Sequence, residues 1–79
     1  MKDFVYYGEL YNIYGFLLTE KQQEIFSLYY EENLSLSEIA TYKSVSKSYV
    51  GKLINDAREK LDYYEEHLKH YELLQQLNS

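Results

Sequence analysis

LSLSEIATYKSVSKSYVGKLINDAREKL, residues 34–61, holds two helix starts eleven positions apart. Ser35 with Glu38 three residues later is a capping box, in which hydroxyl and carboxylate reciprocally satisfy backbone N–H groups at a helix start. Ser46 is a second N-cap. Between the two lie a helix of about seven residues, with Leu36, Ile39 and Ala40 facing inward, and a three-residue turn, Lys43-Ser44-Val45. Two short-linked helices of this kind predict a helix-turn-helix. From Ser46 onward the apolar residues Val50, Leu53, Ile54, Ala57, Leu61, Tyr64, Leu68 and Tyr71 recur at steps of three and four, the period of one helical stripe.

On the N-terminal side, Thr19 and Gln22 form another capping box and open a helix whose apolar face is Ile25, Phe26, Leu28 and Tyr29. Glu31, Glu32 and Asn33 end it, with Asn33 suited to a left-handed stop. Before it, a first helix is expected from about Lys2 to Phe16. Its stripes, Phe4, Tyr7, Tyr11, Tyr14, Leu18 and Tyr6, Leu10, Ile13, Leu17, cover about half the circumference. Gly8 and Gly15 flank the aromatic stripe and leave room for a second backbone.

On the C-terminal side nothing between Ser46 and Leu74 has to break a helix, since the chain has no proline. Asp62 with Glu65 could cap a new helix, but one long helix is the simpler reading. Such a helix extends roughly 45 Å, so its distal half projects, folds back on the first helix, or pairs with another chain. The expected architecture is all-α: one helix-turn-helix domain over residues 1–79, a core at 19–60 with the helix-turn-helix at 35–60, and a C-terminal helical extension at 61–79. A two-fold dimer through the N- and C-terminal helices is expected to cover the wide aromatic face.

In 79 residues little interior is available for a walled substrate pocket. Cysteine is absent, no run is apolar enough to cross a membrane, and a cytoplasmic address with no membrane partner is expected. Adjacent carboxylates such as Glu31 and Glu32 diverge on a helix and do not oppose each other as an acid–base pair. His67 and His70, three apart, lack the further ligands a metal site needs. No phosphate loop or nucleophile motif is present, so neither catalysis nor a cofactor is expected.

Net charge is −5 over eleven tyrosines and no tryptophan. Its distribution is uneven. Residues 36–60 carry five cations against three carboxylates, net +2, and the rest of the chain carries three against ten, net −7. The second helix of the motif has Lys47, Ser48 and Tyr49 in its first turn, where N–H groups and the helix dipole favour a phosphate. Ser48, Lys52 and Asn55 point away from the apolar stripe, with Lys47 and Arg58 at its flank. These six residues form the candidate contact face, for RNA, DNA or no nucleic acid at all. Asp56 and Glu59 interrupt it, and Gly51 near it would admit a close backbone approach.

The blocks Leu17-Leu18-Thr19-Glu20-Lys21-Gln22, Tyr29-Tyr30 and Leu34 to Ala40, with Val45-Ser46 and Leu61-Asp62-Tyr63-Tyr64-Glu65, resemble the YlxM family of small bacterial helix-turn-helix proteins. The resemblance covers about residues 10–72. It implies a helical protein related to sigma-factor region-four domains. It also implies a regulatory or accessory role in the signal recognition particle pathway, through the particle's GTPase Ffh or its RNA, a link resting largely on gene neighbourhood. A DNA-binding transcription regulator is the alternative. The chain departs from the family pattern at Ser44, where glycine is usual, so a left-handed residue is expected elsewhere in the turn or the turn opens slightly. It departs again at Tyr49, where a small residue is common, and in ending soon after Tyr71.

Overall fold

The computed structural model describes residues 4–77, and it is all-α. Among the described residues five helices follow one another: α1 Phe4–Tyr14, α2 Glu20–Tyr30, α3 Leu36–Lys43, α4 Lys47–Leu68 and α5 His70–Leu77, with a 3-10 turn at Gly15–Leu17 between α1 and α2. The expected start of the first helix at Lys2 lies outside the described residues.

The starts are where the side chains dictate. Thr19 Oγ1 accepts from the Gln22 amide at 3.2 Å while Gln22 Oε1 accepts from the Thr19 amide at 3.0 Å. Ser35 and Glu38 repeat the exchange at 3.1 and 2.8 Å. Ser46 Oγ accepts from the Tyr49 amide at 3.0 Å and starts α4. Asn33 is left-handed at φ 59°, as its place after α2 predicts.

The turn of the helix-turn-helix corrects one expectation. Ser44 itself takes the left-handed conformation, φ 59° and ψ 44°, without a glycine. The Val45 amide then bonds back to Ala40 O at 3.0 Å, closing the six-residue ring that typifies this helix stop. Val45 is half-buried against the core and anchors the turn.

α4 is the spine, in contact with α1, α2 and α3. Its Val50, Ile54, Ala57 and Leu61 meet Leu10 and Tyr14 of α1, Ile25, Phe26 and Tyr30 of α2, and Ile39 and Ala40 of α3 in one buried cluster. Each large apolar side chain sealed there is worth roughly 1.5–3 kcal/mol against solvent. The aromatic stripe of α1 is used within the chain. Tyr11 reaches α2, sharing a 2.6 Å hydrogen bond with Ser27 and donating to Gln23 O at 3.1 Å. A Cβ at Gly15 would come within 2.8 Å of the Tyr11 ring, so that glycine makes room for a side chain of the preceding helix and not for a second backbone.

The single long C-terminal helix is the second correction. α4 stops at Leu68, Lys69 adopts φ 59° and ψ 24°, and α5 folds back onto α1. The cause is tertiary. Glu65, buried in the last turns of α4, turns its carboxylate onto the start of α5. Oε1 accepts from the Tyr71 amide at 3.0 Å and from the Tyr14 hydroxyl at 2.6 Å, and Oε2 from the Glu72 amide at 3.1 Å. The Tyr14 hydroxyl in turn accepts from the His70 amide at 2.9 Å. The expected extension at 61–79 is thus divided between α4 and α5 as far as Leu77, and residues 78–79 lie outside the described part.

Candidate nucleic-acid interface

α3, the Ser44-centred turn and the first half of α4 present one continuous outward face. Lys47, Ser48, Lys52 and Asn55 are all exposed on it, and Tyr49, at the edge of the first turn, is 37% exposed. The spacing of Ser48, Lys52 and Asn55, four and then three residues, puts them in one line along the helix, opposite Val50, Ile54 and Ala57 in the core. Ser46 caps the helix start beneath Lys47, so the positive end of the α4 dipole opens between them.

Arg58 goes elsewhere. Its Nε donates to the Tyr30 hydroxyl at 2.8 Å, and its guanidinium lies 5.3, 6.0 and 5.7 Å from the ring centres of Tyr7, Tyr29 and Tyr30. A guanidinium stacks well on such faces, and this one ties α4 to α1 and α2. It also makes a long 3.5 Å contact to the outward face, from Nη1 to Asn55 Oδ1. The structure therefore lines up Ser48, Lys52 and Asn55 along α4, leaves Lys47 and Tyr49 exposed on either flank of that line in the first turn, and holds Arg58 at the boundary with the tyrosine cluster.

Three other cations of the basic segment are also engaged. Lys43 pairs with Glu24 of α2. Lys60 donates to Gln22 Oε1 at 3.3 Å. Lys52 pairs with Asp56 one turn on, at 3.0 Å, with its side chain 73% exposed. An exposed pair of this kind is worth about 0.3–0.5 kcal/mol, so a phosphate can displace the carboxylate at little cost.

Tyr42 was not among the candidate residues. It stands outside every apolar stripe and is 71% exposed at the end of α3, where Ser37, Glu38 and Thr41 share its face. Gly51 meets only Leu36 Cδ1, 4.0 Å from a notional Cβ, which is ordinary contact, so nothing within the chain requires a glycine there.

Three tyrosines away from this face hold their protons tightly. Burial and the Tyr7 hydrogen bond to Asp62, at 2.8 Å, push its phenol up to about 12. Burial and the bond to Glu65 raise Tyr14 too. Burial raises Tyr30 against the opposing pull of Arg58. Glu38 is lowered by its capping-box bonds to Ser35. His67 closes α4 against Tyr63, ring centres 4.3 Å apart, and His70 opens α5. Among the described residues no group of three or more His, Cys, Asp or Glu is placed to hold a metal ion, and no helix is long and apolar enough to cross a membrane.

Comparison with known proteins gives a consistent answer. A family model described as helix-turn-helix protein, YlxM / p13 like, matches residues 1–79. A UPF0122 protein of Caldanaerobacter subterraneus subsp. tengcongensis is 39% identical over 95% of this chain and 68% of its own length. One from Ureaplasma urealyticum is 49% identical over 80% of this chain and 64% of its own, and one from Symbiobacterium thermophilum is 44% identical over 86% and 64%. The chain thus spans about two thirds of the length of these relatives.

Proposed function

The chain belongs to the UPF0122 family of YlxM / p13 like helix-turn-helix proteins, and from that premise we propose that it is a non-enzymatic regulatory factor that binds nucleic acid with the first three turns of α4. One observation carries this reading. In a chain of net charge −5, Lys47, Ser48, Lys52 and Asn55 stand exposed along one side of a helix whose N-terminus is directed outward. A helix N-terminus with lysines and short hydrogen-bonding side chains is suited to a phosphate backbone and the groove beside it. Tyr49 and Tyr42 flank that line and supply ring faces for a base or sugar.

The finer reading is an accessory component of the signal recognition particle pathway whose target is the particle RNA or Ffh. It is supported by the family resemblance. A sequence-specific duplex DNA regulator is the second reading, and the helix-turn-helix geometry supports it. Fluorescence anisotropy with the particle RNA, random duplex DNA and purified Ffh, each titrated with wild type and Lys52→Glu, separates them. The expected result is binding to the RNA that Lys52→Glu weakens, with an unchanged helical spectrum. Binding to Ffh that the variant leaves intact would move the contact off this face, and binding to none of the three would remove the proposal. Phe16, beside the α4–α5 junction, is 76% exposed, and Leu73 and Leu77 along α5 are 51 and 71% exposed; in this reading a second copy covers them. Light scattering at micromolar concentration that reports only monomer would discard that pairing.

A further inference from the structure

The junction at Lys69 is a break that the local sequence does not ask for. Residues 61–77 contain no glycine or proline, and the residue at the left-handed position is a lysine. A left-handed lysine is disfavoured, since only glycine and to a lesser degree asparagine or aspartate adopt that conformation freely. α5 offers little in return: none of its residues is buried, and Leu73, Leu74 and Leu77 are 51, 44 and 71% exposed. Tyr71 is half-buried with its ring edge-on to Tyr6, centres 5.2 Å apart, and the His70 ring lies 6.2 Å from that of Tyr14.

What holds the bend is the pair Glu65 and Tyr14. Between them they take the amides of His70, Tyr71 and Glu72. In an uninterrupted helix those three amides would instead bond the carbonyls of Glu66, His67 and Leu68. The two arrangements therefore satisfy the same backbone donors, one with side chains from elsewhere in the fold and one with the preceding turn. Neither leaves a donor unpaired, which is the condition for two states of similar free energy.

We propose that α5 is a strap that opens about Lys69, with Glu65 and Tyr14 as its latch, and that on opening α4 and α5 run on as one continuous helix. The closed form covers Tyr6 and Tyr14 on α1. The open form uncovers them and extends the apolar line Leu61, Tyr64, Leu68, Tyr71 into solvent beyond the domain. A ligand or partner that engages either surface selects the corresponding form, as differential affinity for two states requires.

The chain contains no cysteine, so a pair introduced as Asn55→Cys and Gln76→Cys carries spin labels at two exposed positions only. In a continuous helix these positions lie about 32 Å apart, and in the closed form well short of that. Wild type is expected to show the short distance. Glu65→Ala is expected to move most of the population to about 32 Å without loss of helical circular dichroism. Tyr14→Phe keeps the ring in the core and removes the hydroxyl from the latch, so both distances should appear. Adding Lys69→Gly, which accepts the left-handed bend, should shift that ratio about fivefold back towards the short distance. A short distance unchanged in both latch variants would overturn the proposal. A broad spread with lost helicity would also overturn it, because α5 would then unravel instead of joining α4.

Discussion

The two ends of α4 are built by opposite means. At its N-terminus the helix begins because Ser46 caps it, three residues after Lys43 closes a helix that Ser35 and Glu38 opened. Every group that shapes this end lies within a dozen residues of it. At its C-terminus the helix stops because Glu65 and Tyr14, 51 positions apart in sequence, take the amides of His70, Tyr71 and Glu72. The first junction is written in neighbouring side chains. The second exists only once α1 has docked on α4. A boundary of the first kind survives loss of tertiary structure in part; one of the second kind cannot form before it.

The contrast can be broken most forcefully at Glu65. Glu65→Ala removes a buried acceptor of three hydrogen bonds, and because the open helix then takes up the same amides its cost in urea unfolding should be limited to about 1.5 kcal/mol. Glu66→Ala, next to it but exposed, should stay within about 0.5 kcal/mol. Equal effects would mean that the carboxylate does not govern this end.

Alkali sharpens the same contrast. The phenols of Tyr7 and Tyr14 hold their protons more tightly in the folded chain, by burial and by donating to Asp62 and Glu65. A group whose pKa is raised on folding contributes fully below its unfolded value and loses that contribution as pH climbs through the folded one. Stability should therefore hold up to about pH 10 and fall as pH approaches about 12 at Tyr7. Tyr7→Phe should flatten that fall, measured by urea unfolding at a series of pH values. A fall that begins below pH 9 would assign alkaline sensitivity to other groups.

At the locally written end the effects are smaller. Ser46→Ala should cost about 1 kcal/mol, the usual worth of an N-cap, without moving α5. Gly51→Ala should stabilise by a similar amount or slightly less, because a Cβ there meets only ordinary contact. If that variant also weakens nucleic-acid binding, a backbone approaches α4 at Gly51. Unchanged binding would leave that glycine without a role on the contact face.

What could be read from the chain follows the same division. The three N-caps, the left-handed Asn33, the helix-turn-helix and the inward stripe of α4 were legible because each rests on residues three or four apart. Ser44 could not be read as the left-handed residue, since its conformation is held by Val45 seating in the core. The bend at Lys69 was illegible because apolar spacing there suits a helix and the burial of Glu65 that turns it onto α5 depends on Tyr14 of α1. On the contact face, spacing placed Lys47, Ser48, Lys52 and Asn55 outward. It could not reveal that Arg58 is drawn among three tyrosines of α1 and α2.

The engagement of the cations has a consequence for how this protein would respond to dissolved ions. Each phosphate neutralised by a lysine or arginine sets free roughly one condensed counterion, and binding to duplex DNA weakens with salt at a logarithmic slope of about −0.9 per contact. With Lys43 held by Glu24, Arg58 by the tyrosines and Lys60 by Gln22, Lys47 and Lys52 are left to make such contacts from this segment. The slope they allow is about −2, where five free cations would give about −4.5. A protein of this design tolerates changes in ionic strength that would dislodge a more basic one, and the shape of its target decides where it stays.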